Sequence, residues 1–280
     1  MWATIRRLYG ARSGEQKVER MGHVRGGYAR IVETAARALE EAGVTVRLEE
    51  PVAALRQPDD RGSYLLSSST GNEYQTRRAI LTVPCPTILK IVKLPDPAEY
   101  WSNLQRVEYL SVVCVLLVLS RPLSPYYVTN LLDQRLPFTG IIEATNIVAP
   151  EDLGGRHLVY LPKYCPSTDA IHELPDDAIR ELFLGHLKEV FPDLDSGDVL
   201  HAAVFRESHV QPLQEPNALD HGFSFETPWT GVYASNTAMI RNSTLNNNAV
   251  LELAGGLARC VAAAERRATV PEHAPQPAGT

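Results

Sequence analysis

A chain of 280 residues, 44% hydrophobic and 21% charged, holds enough apolar material for a buried core in one large domain or two ordinary ones, which excludes general disorder. Its formal net charge of −6 argues against nonspecific nucleic-acid binding, and the basic pairs Arg6-Arg7, Arg77-Arg78 and Arg266-Arg267 are isolated. The longest apolar run, Leu110 to Leu119, falls short of the ~20 residues of a membrane-spanning helix, and no apolar leader follows Met1; both point to a cytoplasmic protein. Cys85, Cys114, Cys165 and Cys260 are widely separated without a C-x-x-C, the usage of small buried hydrophobes in a reducing compartment.

In chain order, Trp2 to Val24 reads as helical and then loop-like, and Gly26-Gly27 is a break. From Tyr28 to Ala42, Ile31, Val32, Ala35, Ala36, Leu39 and Ala42 share one helical face, and Gly43 sits where a C-terminal cap is wanted. Val44 to Leu48 alternates apolar and polar residues, as a strand does. Further strands are expected at Pro51–Leu55, Ser63–Ser68 and Tyr74–Val83, with turns at 59–62 and 70–72 between them. Pro84 and Pro86 close the last of these, and Pro86 opens a short helix through Ile91.

The middle of the chain changes character. A helix is expected over Pro97–Val107, then strands near Leu110–Leu119, Tyr126–Leu132, Phe138–Thr145 and His157–Tyr164. Asp176 to Phe191 is an amphipathic helix with acidic residues at its start and Pro192 after its end. Strands at Val199–Val210 and Gly231–Ser235 follow, then a helix over Asn248–Ala264 and a Pro- and Ala-rich tail, 267–280, expected to be disordered.

The eight histidines are scattered, with no H-E-x-x-H or other metal spacing, and no G-x-S-x-G elbow occurs, so neither a metal site nor a serine nucleophile is expected. Two places are suited to a ligand. RRAILTVP ends a strand at Thr82-Val83-Pro84, where backbone groups are offered beside a prolyl turn. GVYASNTA ends another at Ser235-Asn236, and Asn246-Asn247-Asn248 then leads into an apolar helix whose amide end suits a phosphate or another electron-rich group. The same patterns fit a plain αβ connection and an ordinary capped helix. In the middle segment, Tyr160, Lys163 and Tyr164 of VYLPKY, and Arg206 and Gln211 of FRESHVQP, are candidates to line a substrate pocket.

These stretches together resemble the superfamily of FAD-dependent amine oxidases, protoporphyrinogen oxidases and phytoene desaturases. MGHVRGGYARIVETAARALEEAGVTVRL resembles that group's G-G-aromatic helix and following strand, EEPVAAL its adenine-contacting strand, RRAILTVP its A-D-x-V-V-x-T-x-P strand, and GVYASNTAMIRNSTLNNNAVLELAGGLARCV its flavin-contacting end. The resemblance implies FAD as cofactor, with Val52 at the adenine, Ser235 and Asn236 at the ribitol, and Asn247, Asn248, Ala249 and Val250 at the helix start. Many relatives carry Gly-Asp or Gly-Glu where this chain has Ser235-Asn236. It implies an α/β plus α+β protein: a partial Rossmann-like FAD-binding domain from 26–91 and 228–266, with an inserted mixed-sheet substrate domain from 1–25 and 92–227. The implied reaction is hydride transfer from a C–N or C–C bond to the flavin, which itself carries the redox chemistry. Two alternatives share the layout: a flavin-dependent sugar-mutase-like isomerase, for which Arg206 would meet an anionic substrate, and a non-catalytic subunit that depends on a partner. The second arises because the glycine-rich G-x-G-x-x-G turn and its βαβ unit match nowhere in the chain; a separate chain supplying that unit is the expected partner, beside a small-molecule substrate.

Overall fold

The computed structural model describes residues 23–57, 62–92, 99–214, 223–240 and 245–269. The expectations for 1–22, for most of the turn at 59–62, for Asn242-Ser243-Thr244 and for the tail beyond 269 lie outside these residues. The described chain forms two compact units: residues 49–107 with 213–269, and residues 23–48 with 108–212.

In the first unit, β1 (Val52–Arg56), β2 (Tyr64–Ser68) and β3 (Glu73–Thr76) form an antiparallel sheet in that order. The turn between β2 and β3 is closed by Ser68 N–H donating to the Asn72 carbonyl at 2.9 Å, with Gly71 at φ 91°, a conformation open to glycine. The single strand expected over Tyr74–Val83 is two strands. Thr76 Oγ1 donates to the Arg78 carbonyl at 2.6 Å and accepts the Arg78 N–H at 3.2 Å, and this local pairing replaces ladder bonds. Past this corner, β4 (Ala79–Leu81) leaves the antiparallel sheet and pairs in parallel with β10 (Val232–Ala234).

Helix α2 (Cys85–Ile91) starts at Pro84 and buries Cys85, Ile88 and Ile91. Helix α3 (Glu99–Gln105) buries Trp101, Asn103 and Leu104. Aromatic rings bind this unit across the chain. Tyr64 stacks on Trp229 with centroids 5.9 Å apart, Trp101 meets Trp229 edge-on at 6.1 Å, and the Tyr64 hydroxyl donates to the Thr230 carbonyl at 2.8 Å. The final helix, α5 (Asn247–Thr269), is longer than expected and takes in the first residues of the predicted tail.

The second unit is built on a five-stranded antiparallel sheet in the order β6 (Val128–Asn130), β7 (Gly140–Glu143), β8 (His157–Pro166), β5 (Tyr109–Leu119) and β9 (Val199–Pro212). One face is covered by α4 (Asp176–Val190), whose Ile179, Phe183 and Leu187 join Val113, Val115, Leu117, Leu119, Val159 and Leu161 in a fully buried cluster. Glu143 is buried at 1% exposure because its carboxylate accepts from Leu123 N–H, Ser124 N–H and the Ser124 hydroxyl at 2.9, 3.1 and 2.5 Å, so its charge is met by donors.

The helix expected over Tyr28–Ala42 is α1 (Gly27–Glu41), capped as anticipated: Gly43, at φ 78°, donates to the Glu40 carbonyl at 2.9 Å and Val44 to Leu39 at 2.9 Å. Yet α1 buries no residue, although its apolar stripe is complete. Val44–Leu48 forms no strand among the described residues, which corrects the expectation; alternation makes a sheet face only when a second backbone supplies the ladder bonds. The expected grouping of Gly26–Leu48 with the cofactor half differs from the compact unit that holds these residues, and burial does not decide between them because α1 buries nothing.

Two stability outcomes follow from this packing. Phe183→Ala removes a fully buried ring and lowers the unfolding free energy by about 3–5 kcal/mol in urea titration, whereas Leu132→Ala, at a side chain 94% exposed, stays within about 0.5 kcal/mol of wild type. Gly231, at φ 83°, has the Arg77 carbonyl oxygen 2.6 Å from where a Cβ would stand, so Gly231→Ala destabilises the β4–β10 junction more than Gly71→Ala, whose added methyl meets open space. Equal losses at the two glycines, read by the same titration, would show that the close approach is unimportant.

Candidate functional site

The first candidate lies where the parallel strands end. Val232, Tyr233 and Ala234 stand opposite Ala79, Ile80 and Leu81, and the Ser235 N–H extends the ladder to the Leu81 carbonyl at 2.9 Å. At these carboxyl ends, where open αβ sheets hold ligands, Thr82 is exposed and Pro84 half-buried, while Ser235 and Asn236 are buried. The structure therefore brings Thr82, Pro84, Ser235 and Asn236 together. The Asn236 amide is already occupied. It donates to the Val83 carbonyl at 3.2 Å and lies 3.4 Å from Cys85 Sγ, while its oxygen accepts the Ala238 N–H at 3.0 Å. It is the clasp between the two strand ends.

Asn246, rather than Asn247 or Asn248, caps α5: its side-chain oxygen accepts the Ala249 N–H at 3.0 Å and its carbonyl accepts Val250 N–H at 3.1 Å. With the amides of Ala249 and Val250 engaged, a ligand at this positive helix end would meet the exposed Asn247 and Asn248 first. Val250 carries an exposed side chain, as does Val52 at the first position of β1, where a bulge falls between Val52 and Ala54. Nearby, burial pushes the Tyr100 phenol up to about 12, with Cys85 adding to the shift; the Tyr100 hydroxyl donates to the Ser224 carbonyl at 3.1 Å.

The second candidate is the five-stranded sheet, whose register separates the expected substrate residues. Val113 stands opposite both Lys163 and Arg206, so these two cations share the α4-covered face. There Lys163 Nζ lies 3.1 Å from Asp169, while Arg206 bonds Asp176 at 2.5 Å and the Leu174 carbonyl at 2.7 Å. Leu116 stands opposite Tyr160, and Val112 opposite Tyr164, on the other face. Gln211 stands opposite Leu110, past an irregularity in the β5–β9 ladder.

That other face holds residues the sequence reading did not single out: Cys114 opposite Phe205, and Leu116 opposite Ala203. The signal was present in LSVVCVLLVL. An antiparallel strand with one wet face alternates, whereas this one is apolar at every second-face position after Ser111. No group of His, Cys, Asp and Glu suited to a metal ion occurs among the described residues, and no helix among them is long and apolar enough to cross a membrane.

Burial raises the Cys114 thiol to about 11, partly offset by a backbone hydrogen bond from Leu161. Because the thiolate is the nucleophile, alkylation of Cys114 by iodoacetamide, followed by mass spectrometry, will remain slow at neutral pH and climb tenfold per pH unit until about pH 11. A plateau near the value of a free thiol, about 8.5, would show that the face is wetter than described.

Among known proteins, the sequence profile of the flavin containing amine oxidoreductases matches residues 3–242. No curated protein matches the chain. Solved structures with a similar fold include a protein described as a protoporphyrinogen oxidase from Exiguobacterium sp. 255-15, 17% identical with TM-score 0.62 over 87% of this chain and 50% of that one. An oxidoreductase from Methanosarcina mazei is 18% identical, with TM-score 0.62 over 85% of this chain and 54% of its own. A redesigned putrescine oxidase is 15% identical, with TM-score 0.62 over 87% and 53%. The chain thus spans about half the length of the solved structures it resembles. With the profile covering most of its length, the chain belongs to the flavin containing amine oxidoreductase family, and FAD is its implied cofactor.

Proposed function

We propose that this chain is an FAD-dependent oxidoreductase, or the C-terminal portion of one, that removes hydride from a C–N or C–C bond, and that a glycine-rich βαβ unit from outside the described residues completes its cofactor site. The carrying observation is the parallel pair β4–β10, whose paired strand ends bring Thr82, Pro84, Ser235 and Asn236 together. Parallel sheets occur almost only when covered on both faces and extended by further strands, and among the described residues this one has two strands. The unburied stripe of α1 supports the same reading, as does the chain's span of about half its structural neighbours.

The residues present fit part of the cofactor. Ser235 and the exposed Thr82 hydroxyl would serve the ribitol, Val52 the adenine, and Asn247, Asn248 and the start of α5 the electron-rich edge of the ring, with Ala249 and Val250 behind them. The pyrophosphate has no partner of its own here, because no glycine-rich turn opens a helix in this sequence. When bound, the flavin accepts the hydride; the protein orients the substrate and keeps water from it. The cofactor half comprises 26–91 and 228–266, with a substrate half between them. Of the substrate candidates, Tyr160 and Tyr164 stand on the sheet face away from α4. Arg206, the anion-binding candidate of a sugar-mutase reaction, is engaged by Asp176, so nothing favours that isomerase.

Purified from its native host with the polypeptides that accompany it, the protein will be yellow and show flavin absorption that bleaches on anaerobic reduction. The 280-residue chain alone will bind FAD at least about a hundredfold more weakly, corresponding to ~2.7 kcal/mol of lost phosphate contacts. A colourless native complex would overturn the flavoenzyme reading; tight FAD binding by the isolated chain would overturn the need for a second βαβ source.

A further inference from the structure

Helix α4 has an outer side that its own fold leaves largely exposed. Its inner residues Ile179, Phe183 and Leu187 are fully buried against the five-stranded sheet. At about 100° per residue, Ala178, Leu182, Gly185 and Glu189 share a stripe turned away from that inner side. With Glu181 and His186 they line an open groove of about 480 Å³. Nothing stands within 4 Å of where a Gly185 Cβ would be, so the groove has a gap in its floor. Beside that gap Leu182 remains 37% exposed. Glu181 and Lys188, both exposed, fall on one border of the stripe, about 10 Å apart along the helix axis. On the other border His186 Nδ1 lies 3.3 Å from the Glu189 carboxylate.

We infer that this face is an interface between two copies of the chain, paired through antiparallel α4 helices about a two-fold axis near Leu184 and Gly185. Charge selects the geometry. In an antiparallel pair the same border of each stripe comes together, so Glu181 meets Lys188 of the second copy and Lys188 meets its Glu181. A parallel pair would set that border against the one that carries His186, and both charge contacts would be lost. The antiparallel register also puts Leu182 over the gap at Gly185 of the second copy, and the two-fold axis repeats the contact. Small Gly185 and Ala178 let the helices approach to the close end of the usual range of about 8–10 Å. Glu189 falls at each end of the contact, where its carboxylate keeps its water. The apolar stripe of α1 is a poorer occupant, because the acids that border it, Glu33 and Glu40, would stand beside Glu181 and Glu189. A helix pair of about four turns lies at the small end of protein interfaces, so the dimer is a micromolar one. This inference concerns the chain itself and does not rest on the flavoenzyme reading.

Sedimentation velocity of the full 280-residue chain over a concentration series reads the association. A reversible dimer is expected, with half-association between about 1 and 100 µM. Lys188→Glu sets Glu181 against a like charge at both contacts and should weaken the dimer at least about tenfold; Glu181→Lys should do the same. Mixing these two variants restores opposite charges at both contacts, so a heterodimer of near wild-type strength is expected, a result that misfolded variants cannot give. Gly185→Leu fills the gap at an exposed helical position, where leucine favours the helix over glycine. It should abolish dimerisation while leaving the urea midpoint no lower. Ile31→Lys, on the separate stripe of α1, should change nothing. The inference is overturned if the chain stays monomeric to about 1 mM, if either charge variant or Gly185→Leu dimerises like wild type, if the mixed variants stay apart, or if Ile31→Lys abolishes the dimer. No step needs flavin: a monomeric chain beside a yellow native complex sinks only this inference, and a colourless complex beside the dimer sinks only the flavoenzyme reading.

Discussion

The first unit depends on one short contact, the three-residue parallel pairing of β4 with β10, which joins stretches of chain about 150 residues apart in sequence. So few ladder bonds cannot by themselves offset the entropy of closing so long a loop. The rest comes from the junction's flanks. Gly231 lets its backbone approach Arg77, its carbonyl accepts the Ala79 N–H at 3.0 Å, the Tyr64–Trp229–Trp101 rings pack upstream, and Asn236 locks the far end. The strand ends that would face a flavin are therefore held from both sides by groups that do no chemistry.

The sheet half rests on a different principle. Its stability comes from one face, where α4 lies on β5, β8 and β9 and nearly every side chain is fully buried. This frees the second face from a structural duty. A strand buried on both sides by its own domain would have to match two sets of neighbours at native density, and substitution there would be constrained twice. With packing satisfied on the α4 side, the other face is free to carry Leu116 and the exposed Phe205 beside the carboxylate of Glu207.

Much of this was legible in the sequence, and the failures have physical causes. Helical periodicity located α1 and α4 within a residue or so, and the proline signals placed the start of α2. The run 74–83 was read as one strand because no Gly or Pro interrupts it before Pro84; the Thr76 corner is a matter of side-chain hydrogen bonding, which hydrophobic pattern does not encode. Val44–Leu48 has a strand's pattern but forms no strand among the described residues. Parity along β8 already separates Tyr160 and Tyr164 from Lys163, since alternate residues point to opposite faces. Placing Arg206 with Lys163 needs the register of β9 against β5, and that ladder contains irregularities that no counting along the sequence reveals. The capping role of Asn246 was legible only as a choice among three adjacent asparagines.

Asn236 shows how a departure from a family pattern acquires a reason. Where relatives carry an acid after glycine, a carboxylate would bring lone pairs toward the Val83 carbonyl, which the Asn236 amide instead satisfies as a donor at 3.2 Å. The same amide reaches Cys85 Sγ at 3.4 Å and its oxygen holds Ala238 N–H, so one neutral side chain closes the β10 end onto the start of α2. An acid at this position is free to turn toward a sugar hydroxyl only if another group ties the two strand ends together. In this chain the tie and the ligand position compete for one residue. The buried Asn236, at 8% exposure, has gone to the tie, and in the flavoenzyme proposed above Ser235 and the exposed Thr82 beside it would be left to meet a ribitol.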